Sequence, residues 1–432
     1  MKKCSSLLFL LLFANLVFAQ QQDSLADARK VHKKTGSALE SKFSEYGFFQ
    51  KVHSDAGGPR FMVADEKDNF RFGIGGTVHA TVIHDFSGSV DGLTFTTWNI
   101  PVPTDFAGQT GFSMGASKLN FKAIGKLGKR DVVAFVEIGV GSSGNGVNLR
   151  HAYFSYGGLT VGQTYSFFMD MAAGPMTVDL EGPNTQVNKR HPLVGYTFNI
   201  KDKWKIAASI ERQELGSVQN PSLGIYDEFQ EIPDIATRAS FSFKNGHVQL
   251  ATLLRYLYYY AEDTLNRVTR SGSISNLGMG LSLSGSWRFA PSTSFSFQSV
   301  AGHGIASYIQ DLSNSRLDLI TMLNPDSKYE LRTSPMYGGY FAIQHHWSPS
   351  VLSSLVYGYV HLYRLDGYTY NSSDCDDFRA SHYFAMNVFW NVNDYFVLGA
   401  EYLFGQRENM TPDGSTAFGS ANRVDVMLSY SF

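Results

Sequence analysis

The sequence is poor in charged residues, in proline and in cysteine. Only 17% of its 432 residues are charged, whereas a soluble domain usually carries about 25%. Of its two cysteines, Cys4 lies in a segment that we expect to be removed, so no disulfide can form within the mature chain. The formal net charge of -2 excludes a strongly basic protein that binds nucleic acid.

Long apolar runs are also missing beyond the N-terminus, and the mean hydropathy is only -0.15. A bundle of transmembrane helices needs stretches of about 20 apolar residues, so the sequence excludes that class of fold. Disorder is excluded as well, because 33 Phe and 23 Tyr make the chain rich in aromatic residues, which disordered segments lack. This composition, with 41 glycines, is typical of strands that have one apolar and one wetted face.

The N-terminus has the pattern of a secretory signal peptide. Two lysines precede an apolar run over 7–18, and the small residue Ala19 marks the expected cleavage site. We therefore expect 1–19 to be a signal peptide. The segment 20–69 is expected to be periplasmic, as either a short amphipathic helix or a disordered tail, and the main domain is expected over 70–432.

Apolar and polar residues alternate with a period of two through most of the chain. From Phe70 to Val82, every even position except Gly76 is apolar, while the odd positions hold glycine, threonine, Arg71 and His79. This period predicts β-strands that have one apolar face. Sixteen segments show the pattern: 70–83, 111–124, 131–140, 147–157, 159–166, 192–201, 203–213, 234–244, 246–260, 273–289, 293–308, 336–347, 350–365, 379–391, 394–406 and 420–432.

Two features favour a transmembrane barrel over a soluble β-sandwich or soluble barrel. The polar faces carry mostly Gly, Ser and Thr rather than the Lys and Glu that bulk water favours. Aromatic residues such as Trp204, Trp287 and Trp390 mark strand ends, as in the aromatic girdles of outer-membrane barrels. We therefore predict an all-β fold, a 16-stranded antiparallel transmembrane β-barrel with short periplasmic turns and long outer loops, in the outer membrane of a Gram-negative-type bacterium.

Cationic side chains recur on the polar face of the predicted strands, which would line a water-filled channel. The charges that line a channel determine its selectivity. These cations fit either an anion-attracting wall or structural ion pairs with loop carboxylates, and both interpretations stay open. The candidate pore-lining cations are Lys118, Arg150, Arg238, Arg255, Arg423, Arg71, Lys122 and Arg288.

The segment that follows the fifth predicted strand is unusually apolar for an outer loop. Residues 167–175 read FFMDMAAGP, and such a segment must bury against other atoms. Folded into the lumen, it would narrow the channel; the alternatives are a subunit interface or the mouth of the barrel. The candidate constriction residues are Phe168, Met169, Asp170, Asp179 and Glu181.

No motif in the sequence points to catalysis. A barrel enzyme of the lipase type would need a lipid-facing serine within hydrogen-bond reach of a histidine, and none of the 12 histidines is clearly so placed. No metal-ligand cluster stands out, so we predict a non-enzymatic protein without metal or cofactor. The alternative functions are a structural or adhesin barrel with a plugged lumen and an outer-membrane barrel enzyme.

The segment 161–170, VGQTYSFFMD, resembles part of the DcaP-like family of trimeric outer-membrane porins. Its GQT and FMD elements are specific, and the number of predicted strands and the C-terminal Phe432 agree with the resemblance. The resemblance implies a homotrimer with three separate pores, an N-terminal periplasmic coiled coil, and passage of small organic anions such as dicarboxylates. We therefore expect an anion-leaning porin for passive diffusion of small polar solutes, with outer-membrane lipid and further copies of the chain as partners.

Overall fold

The computed structural model describes most of the chain beyond its N-terminal segment. The described residues are 61–65, 69–88, 94–140, 146–201, 203–212, 224–228, 232–263, 270–315, 317–323, 329–363, 378–411 and 413–432. The signal peptide predicted over 1–19 and most of the segment predicted over 20–69 lie outside the described residues, so both assignments remain predictions.

Strands make up almost all of the regular structure of the described residues. No helix among those residues is both long and apolar enough to cross a membrane. Short 3-10 helices lie in the connections at Thr97–Asn99, Met171–Ala173, Ala306–Tyr308 and Gln310–Leu312. The strands are β1 (Phe61–Ala64), β2 (Phe70–Ser87), β3 (Gln109–Ser113), β4 (Lys118–Leu127), β5 (Arg130–Val140), β6 (Val147–Tyr156), β7 (Leu159–Tyr165), β8 (Arg190–Ile200), β9 (Trp204–Glu211), β10 (Gly224–Glu228), β11 (Asp234–Phe243), β12 (Gly246–Asp263), β13 (Arg270–Ala290), β14 (Thr293–His303), β15 (Ile320–Leu323), β16 (Tyr329–Arg332), β17 (Pro335–Ser348), β18 (Val351–Leu362), β19 (Phe378–Asn391), β20 (Phe396–Met410) and β21 (Thr416–Ser431).

Sixteen of these strands form one closed antiparallel barrel, which confirms the predicted fold class. The wall consists of β2, β4–β9, β11–β14 and β17–β21, and each wall strand pairs with the next. The last strand returns to the first, with Val82 opposite Val426, so the cylinder is closed. Closure pairs backbone groups that an open sheet would leave free.

The two faces of the wall differ as the alternation predicts. On β21, Val426, Leu428 and Tyr430 are exposed on the outer surface, whereas Arg423 and Asp425 are buried on the inner side. An outer surface of this kind suits lipid, because apolar side chains there need no water and polar side chains are kept inside.

The second predicted strand, 111–124, is interrupted in the structure. It is divided into β3 and β4, which pair with different parts of β2. Between them the N–H of Ser117 donates to the carbonyl of Met114 at 2.9 Å, so the chain turns locally. The outward positions change from even in β3, as at Phe112, to odd in β4, as at Leu119, and this change of parity is the sequence signal for the turn.

The strand β1 lies in the segment that the sequence assigns to the periplasmic region. It pairs with β2 from Phe61 opposite Ile74 to Ala64 opposite Arg71, beyond the end of β21. Four residues are too few to show a clear alternation, so the sequence does not predict this strand.

Candidate functional site

The connection between β7 and β8, residues 166–189, runs along the inner face of the barrel wall, and we call it the inner loop. Its first part includes Phe168 and Met169, which are fully buried. The transfer of a benzyl or a thioether side chain out of water lowers the free energy. The apolar segment that the sequence singles out is therefore buried against the inner face of the barrel wall.

Asp170 attaches the first part of the inner loop to β12 and β13. Its Oδ2 accepts hydrogen bonds from His247 Nε2 at 2.9 Å and from Ser284 Oγ at 2.6 Å. Its Oδ1 accepts the N–H of Ala172 at 3.1 Å. Burial by itself would raise the pKa of Asp170, but these hydrogen bonds and the His247 charge hold that pKa below its usual value.

The middle of the inner loop is held by β19 and β20. The two carboxylate oxygens of Glu401 accept the backbone N–H groups of Val178 at 3.1 Å and Asp179 at 2.8 Å. Asn387 Nδ2 donates to the carbonyl of Met176 at 2.9 Å and to Glu401 at 2.7 Å. Since these buried donors have good partners, the path of the loop along the wall is well determined.

The last part of the inner loop crosses β14 and β17 on its way back to β8. Gln298 Nε2 donates to the carbonyl of Thr185 at 2.7 Å, and its Oε1 accepts the N–H of Val187 at 3.2 Å. A Cβ at Gly338 would lie 2.5 Å from Thr185 Cγ2, so glycine permits this close approach. The inner loop thus contacts the wall from β12 to β20.

Two outer connections fold onto the inner loop: residues 94–108, here called outer loop A, and residues 304–315, here called outer loop B. The N–H of Phe95 in outer loop A donates to Asp179 Oδ1 at 2.9 Å. In outer loop B, Asp311 Oδ2 accepts hydrogen bonds from the Thr97 hydroxyl and from the backbone N–H of Trp98, both in outer loop A. Three loops therefore meet around two buried carboxyl groups.

The carboxyl groups at this junction are hard to ionise. Desolvation raises the pKa of Asp179 to about 6 and that of Asp311 to about 7. Desolvation, together with the charges of Asp311 and Asp179, raises the pKa of Glu181 well above its usual value. The junction therefore favours neutral carboxylic acids, although the Arg423 guanidinium lowers the pKa of Asp179 in the opposite direction.

We expect the junction of the three loops to be tightest at acidic pH. Asp179 and Asp311 hold protons in the folded state above their ordinary pKa of 3.8, so their contribution to stability falls as the pH rises through about 6 and about 7. Single-channel recordings should show more current fluctuation just above neutral pH than at acidic pH. The variant Asp311→Asn should flatten this dependence, and open-channel noise that does not change with pH would contradict the expectation.

Two of the candidate pore-lining cations are fully buried in ion pairs. Arg255 Nε lies 3.0 Å from Asp234 Oδ2, and its Nη1 lies 3.0 Å from Asp318 Oδ2. Arg423 forms a bidentate ion pair with Asp85: Nε donates to Oδ1 at 2.6 Å, and Nη2 donates to Oδ2 at 3.0 Å. For these two arginines the geometry favours the structural ion-pair interpretation.

Lys118 and Arg150 share one carboxylate on the inner face. Arg150 Nε lies 2.9 Å from Glu137 Oε1, and Lys118 Nζ lies 3.9 Å from Glu137 Oε2. Arg150 is the extra residue of a β-bulge between β5 and β6, which turns its side chain toward Glu137. Its side chain is 30% exposed, so it is accessible to water and solutes.

The remaining candidate cations are spread over the barrel. The Arg238 guanidinium lies 4.5 Å from the centre of the Phe167 ring. Arg71 and Lys122 are buried, whereas Arg288 is exposed near the turn that follows β13. The structure therefore brings Lys118 and Arg150 together at Glu137 and places Arg71 and Lys122 at neighbouring positions of the paired strands β2 and β4, whereas Arg238, Arg255, Arg288 and Arg423 lie in separate surroundings.

The side chains that hold the inner loop were not predicted. Their inward orientation is visible from the alternation, but many other polar positions share it. Nothing local in the sequence distinguishes a polar residue that binds the loop from one that faces water. The unpredicted loop-binding residues are His247, Ser284, Gln298 and Asn387.

A serine and a histidine do face each other on the outer surface, at Ser353 of β18 and His345 of β17. Ser353 Oγ accepts the Nε1–H of Trp347 at 2.8 Å, and His345 Nδ1 lies 2.9 Å from Thr293 Oγ1. Both side chains therefore have other partners. Within the described residues, no group of three or more His, Cys, Asp or Glu side chains is arranged to hold a metal ion.

Solved structures of outer-membrane channels share this fold. The outer membrane channel DcaP of Acinetobacter baumannii matches with a TM-score of 0.69 and 18% identity over 86% of this chain and 99% of that chain. OmpT of Vibrio cholerae, in a trimer form, matches at 0.55 and 10% identity, over 84% and 100%. The anion-selective porin from Comamonas acidovorans matches at 0.53 and 11% identity, over 84% and 100%. No curated protein matches the sequence.

The family comparison covers nearly the whole chain. The model of the DcaP outer membrane protein family matches residues 19–432, which include the inner loop and all wall strands. This match confirms the resemblance that rests on the segment 161–170. The chain therefore belongs to the DcaP outer membrane protein family.

Proposed function

We propose that this outer-membrane protein is a porin for the passive diffusion of small polar solutes. The observation that carries the proposal is the closed sixteen-stranded barrel, whose inner face is polar and is covered in part by the inner loop. A barrel of this size holds water rather than a packed core. The similar structure from Acinetobacter baumannii is described as a channel, which supports the same function.

We further propose that small organic anions, such as dicarboxylates, are the preferred solutes. Two cations, Lys118 and Arg150, both contact the carboxylate of Glu137, and Arg150 is partly exposed. Charged side chains that line a pore determine which ions enter it. The anion-selective description of the Comamonas porin is consistent with this preference.

Planar-bilayer measurements in a salt gradient test both parts of the proposal. A porin gives stepwise single-channel currents, and an anion preference sets the sign of the reversal potential. Clear cation preference would refute the proposed anion preference, whereas the proposed porin function would stand. The absence of conductance, together with liposomes that do not swell in small sugars or amino acids, would favour the structural or adhesin barrel.

The variant Arg150→Gln should lower the anion preference. It removes the partly exposed guanidinium while keeping a polar, uncharged side chain on the inner face, so the barrel should assemble normally. The reversal potential is the measurement, and Lys118→Gln should shift it in the same direction. Arg288→Gln, at an exposed position near a turn, is the matched control. Equal shifts in all three variants would assign the effect to net charge alone.

We also propose that the protein is a homotrimer. The support is twofold: the resemblance of the segment 161–170 to a family of trimeric porins, and the trimer form of the similar OmpT barrel. Each copy would then enclose its own pore, since a single chain closes the whole cylinder.

A further inference from the structure

The outer ends of four neighbouring wall strands carry a polar patch on the lipid-facing surface. Through most of β17–β20, the outward side chains are apolar, such as Phe341, Leu355 and Met386. Toward the outer ends, the outward side chains become tyrosine, histidine and one ion pair. We call this set the outer patch, and it consists of Tyr337, Tyr359, His361, Arg379, His382 and Glu408.

The height of the outer patch matches the outer boundary of the apolar band. Trp347 on β17 and Trp390 on β19 lie beside short turns at the opposite ends of these strands. At about 3.3 Å per residue and a tilt of about 40°, Tyr337 and His382 lie about 20–25 Å above the tryptophans. The apolar band of an outer-membrane barrel is about 25 Å tall. The outer patch therefore lies where acyl chains meet headgroups.

The two histidines of the outer patch each have one ring nitrogen fixed by a tyrosine. His361 Nδ1 lies 3.1 Å from Tyr359 Oη, and His382 Nδ1 lies 2.8 Å from Tyr357 Oη. A tyrosine hydroxyl that donates to Nδ1 leaves the proton of a neutral imidazole on Nε2. No described residue forms a hydrogen bond with Nε2 of either ring. In this tautomer both rings offer an N–H donor on the lipid-facing surface.

The ion pair of the outer patch leaves most donors of its arginine unused. Arg379 is the extra residue of a β-bulge between β19 and β20, and its Nη1 lies 2.9 Å from Glu408 Oε1. Its side chain is 38% exposed, and its guanidinium makes no other hydrogen bond to a described residue. A charged side chain that faces lipid is costly. A headgroup with acceptor oxygens would offset this cost.

We propose that the outer patch binds the phosphorylated sugar headgroup of a glycolipid in the outer leaflet. Phosphate oxygens would accept hydrogen bonds from Arg379 and from Nε2 of His361 and His382, and such charge-assisted hydrogen bonds are strong. The rings of Tyr337 and His361, with centres 5.5 Å apart, offer flat surfaces to a sugar ring. An aromatic belt that only marks the membrane interface consists of Trp and Tyr, so it explains neither the arginine nor the imidazoles. This inference does not depend on the proposed solute or on the proposed homotrimer.

Native mass spectrometry of the purified protein in detergent tests the proposal. The probes are a phosphorylated glycolipid, the same glycolipid without its phosphates, and phosphatidylglycerol. The protein should retain the first about tenfold more than either of the others, because a lost charge-assisted hydrogen bond weakens binding by about that factor or more. Equal retention of the dephosphorylated glycolipid would overturn phosphate recognition. Equal retention of phosphatidylglycerol, or displacement of the glycolipid by an equal concentration of inorganic phosphate, would overturn the glycolipid assignment.

Substitutions in the outer patch locate the binding site. Arg379→Gln and His382→Gln should each lower retention of the phosphorylated glycolipid about tenfold, while heat-modifiable migration in gels shows an intact barrel. Arg379→Lys keeps the charge but loses the planar fork, so its retention should be intermediate. A patch variant that folds and retains the glycolipid like the parent would overturn the site.

The matched controls change the same residue types outside the outer patch. His345→Gln removes an outward imidazole beside Trp347 at the other end of β17, and Arg288→Gln removes an exposed arginine near a turn. Both controls should bind the glycolipid like the parent, and equal losses in controls and patch variants would overturn the site. If a patch variant does not form a barrel, the comparison of the two glycolipids on the parent protein decides whether phosphate is recognised.

Discussion

Deletion of residues 169–181 is expected to raise the single-channel conductance severalfold. This part of the inner loop runs along the inner wall from Asp170, bound to His247 and Ser284, to Asp179, bound to Glu401. Its removal takes buried apolar side chains out of the lumen and replaces them with water, and a wider aqueous path carries more current. Planar-bilayer recording of the purified protein measures the effect.

The control for this deletion is Leu180→Ser, which changes an exposed side chain of the same loop and keeps the anchors. Its conductance should equal that of the parent protein. Heat-modifiable migration in gels shows whether each variant still forms a barrel. A deletion variant that folds and conducts like the parent would place the inner loop outside the permeation path.

Replacement of Arg255 by methionine is expected to lower the free energy of unfolding by about 3–5 kcal/mol, as for other broken buried ion pairs. The substitution leaves Asp234 and Asp318 buried without their cation. It also removes the donors to the carbonyl of Gly304 at 2.7 Å and to Ser307 Oγ at 3.0 Å, which hold outer loop B. Unfolding in urea, in detergent or lipid vesicles, measures the loss.

The matched control is Arg288→Met, because Arg288 is exposed and should contribute little to stability. The triple variant with Asp234→Leu and Asp318→Leu should recover much of the loss, since apolar residues of similar size often replace a buried ion network without cost. A loss as small as that of Arg288→Met would mean that water reaches the carboxylates. Arg255 would then remain a candidate for contact with solutes.

The fold was largely predictable from the sequence because the two-residue period is a local signal. The apolar face of each strand is visible in that strand's own sequence, as it is for Val426 and Leu428 on β21. The sixteen wall strands can therefore be counted from local patterns alone. The break between β3 and β4 escaped prediction, since it changes the parity of alternation over only four residues.

The candidate site was predictable only in part. The apolar composition of 167–175 marks the inner loop, because a segment of this kind has to leave water. The partners of that loop are not marked in the same way. Asp170 binds His247, which is 77 residues distant in sequence, and Asp179 is bound through Glu401, at a separation of 222.

The sequence by itself determined that this chain forms strands with one apolar and one polar face, because alternation along a strand needs no information from elsewhere in the chain. The tertiary structure alone decided which polar groups meet, because closing the barrel brings distant strands together. Arg423 and Asp85 are 338 residues apart and form a buried ion pair only because β21 pairs with β2. The same closure gives Arg423, one of the candidate pore-lining cations, a buried carboxylate partner.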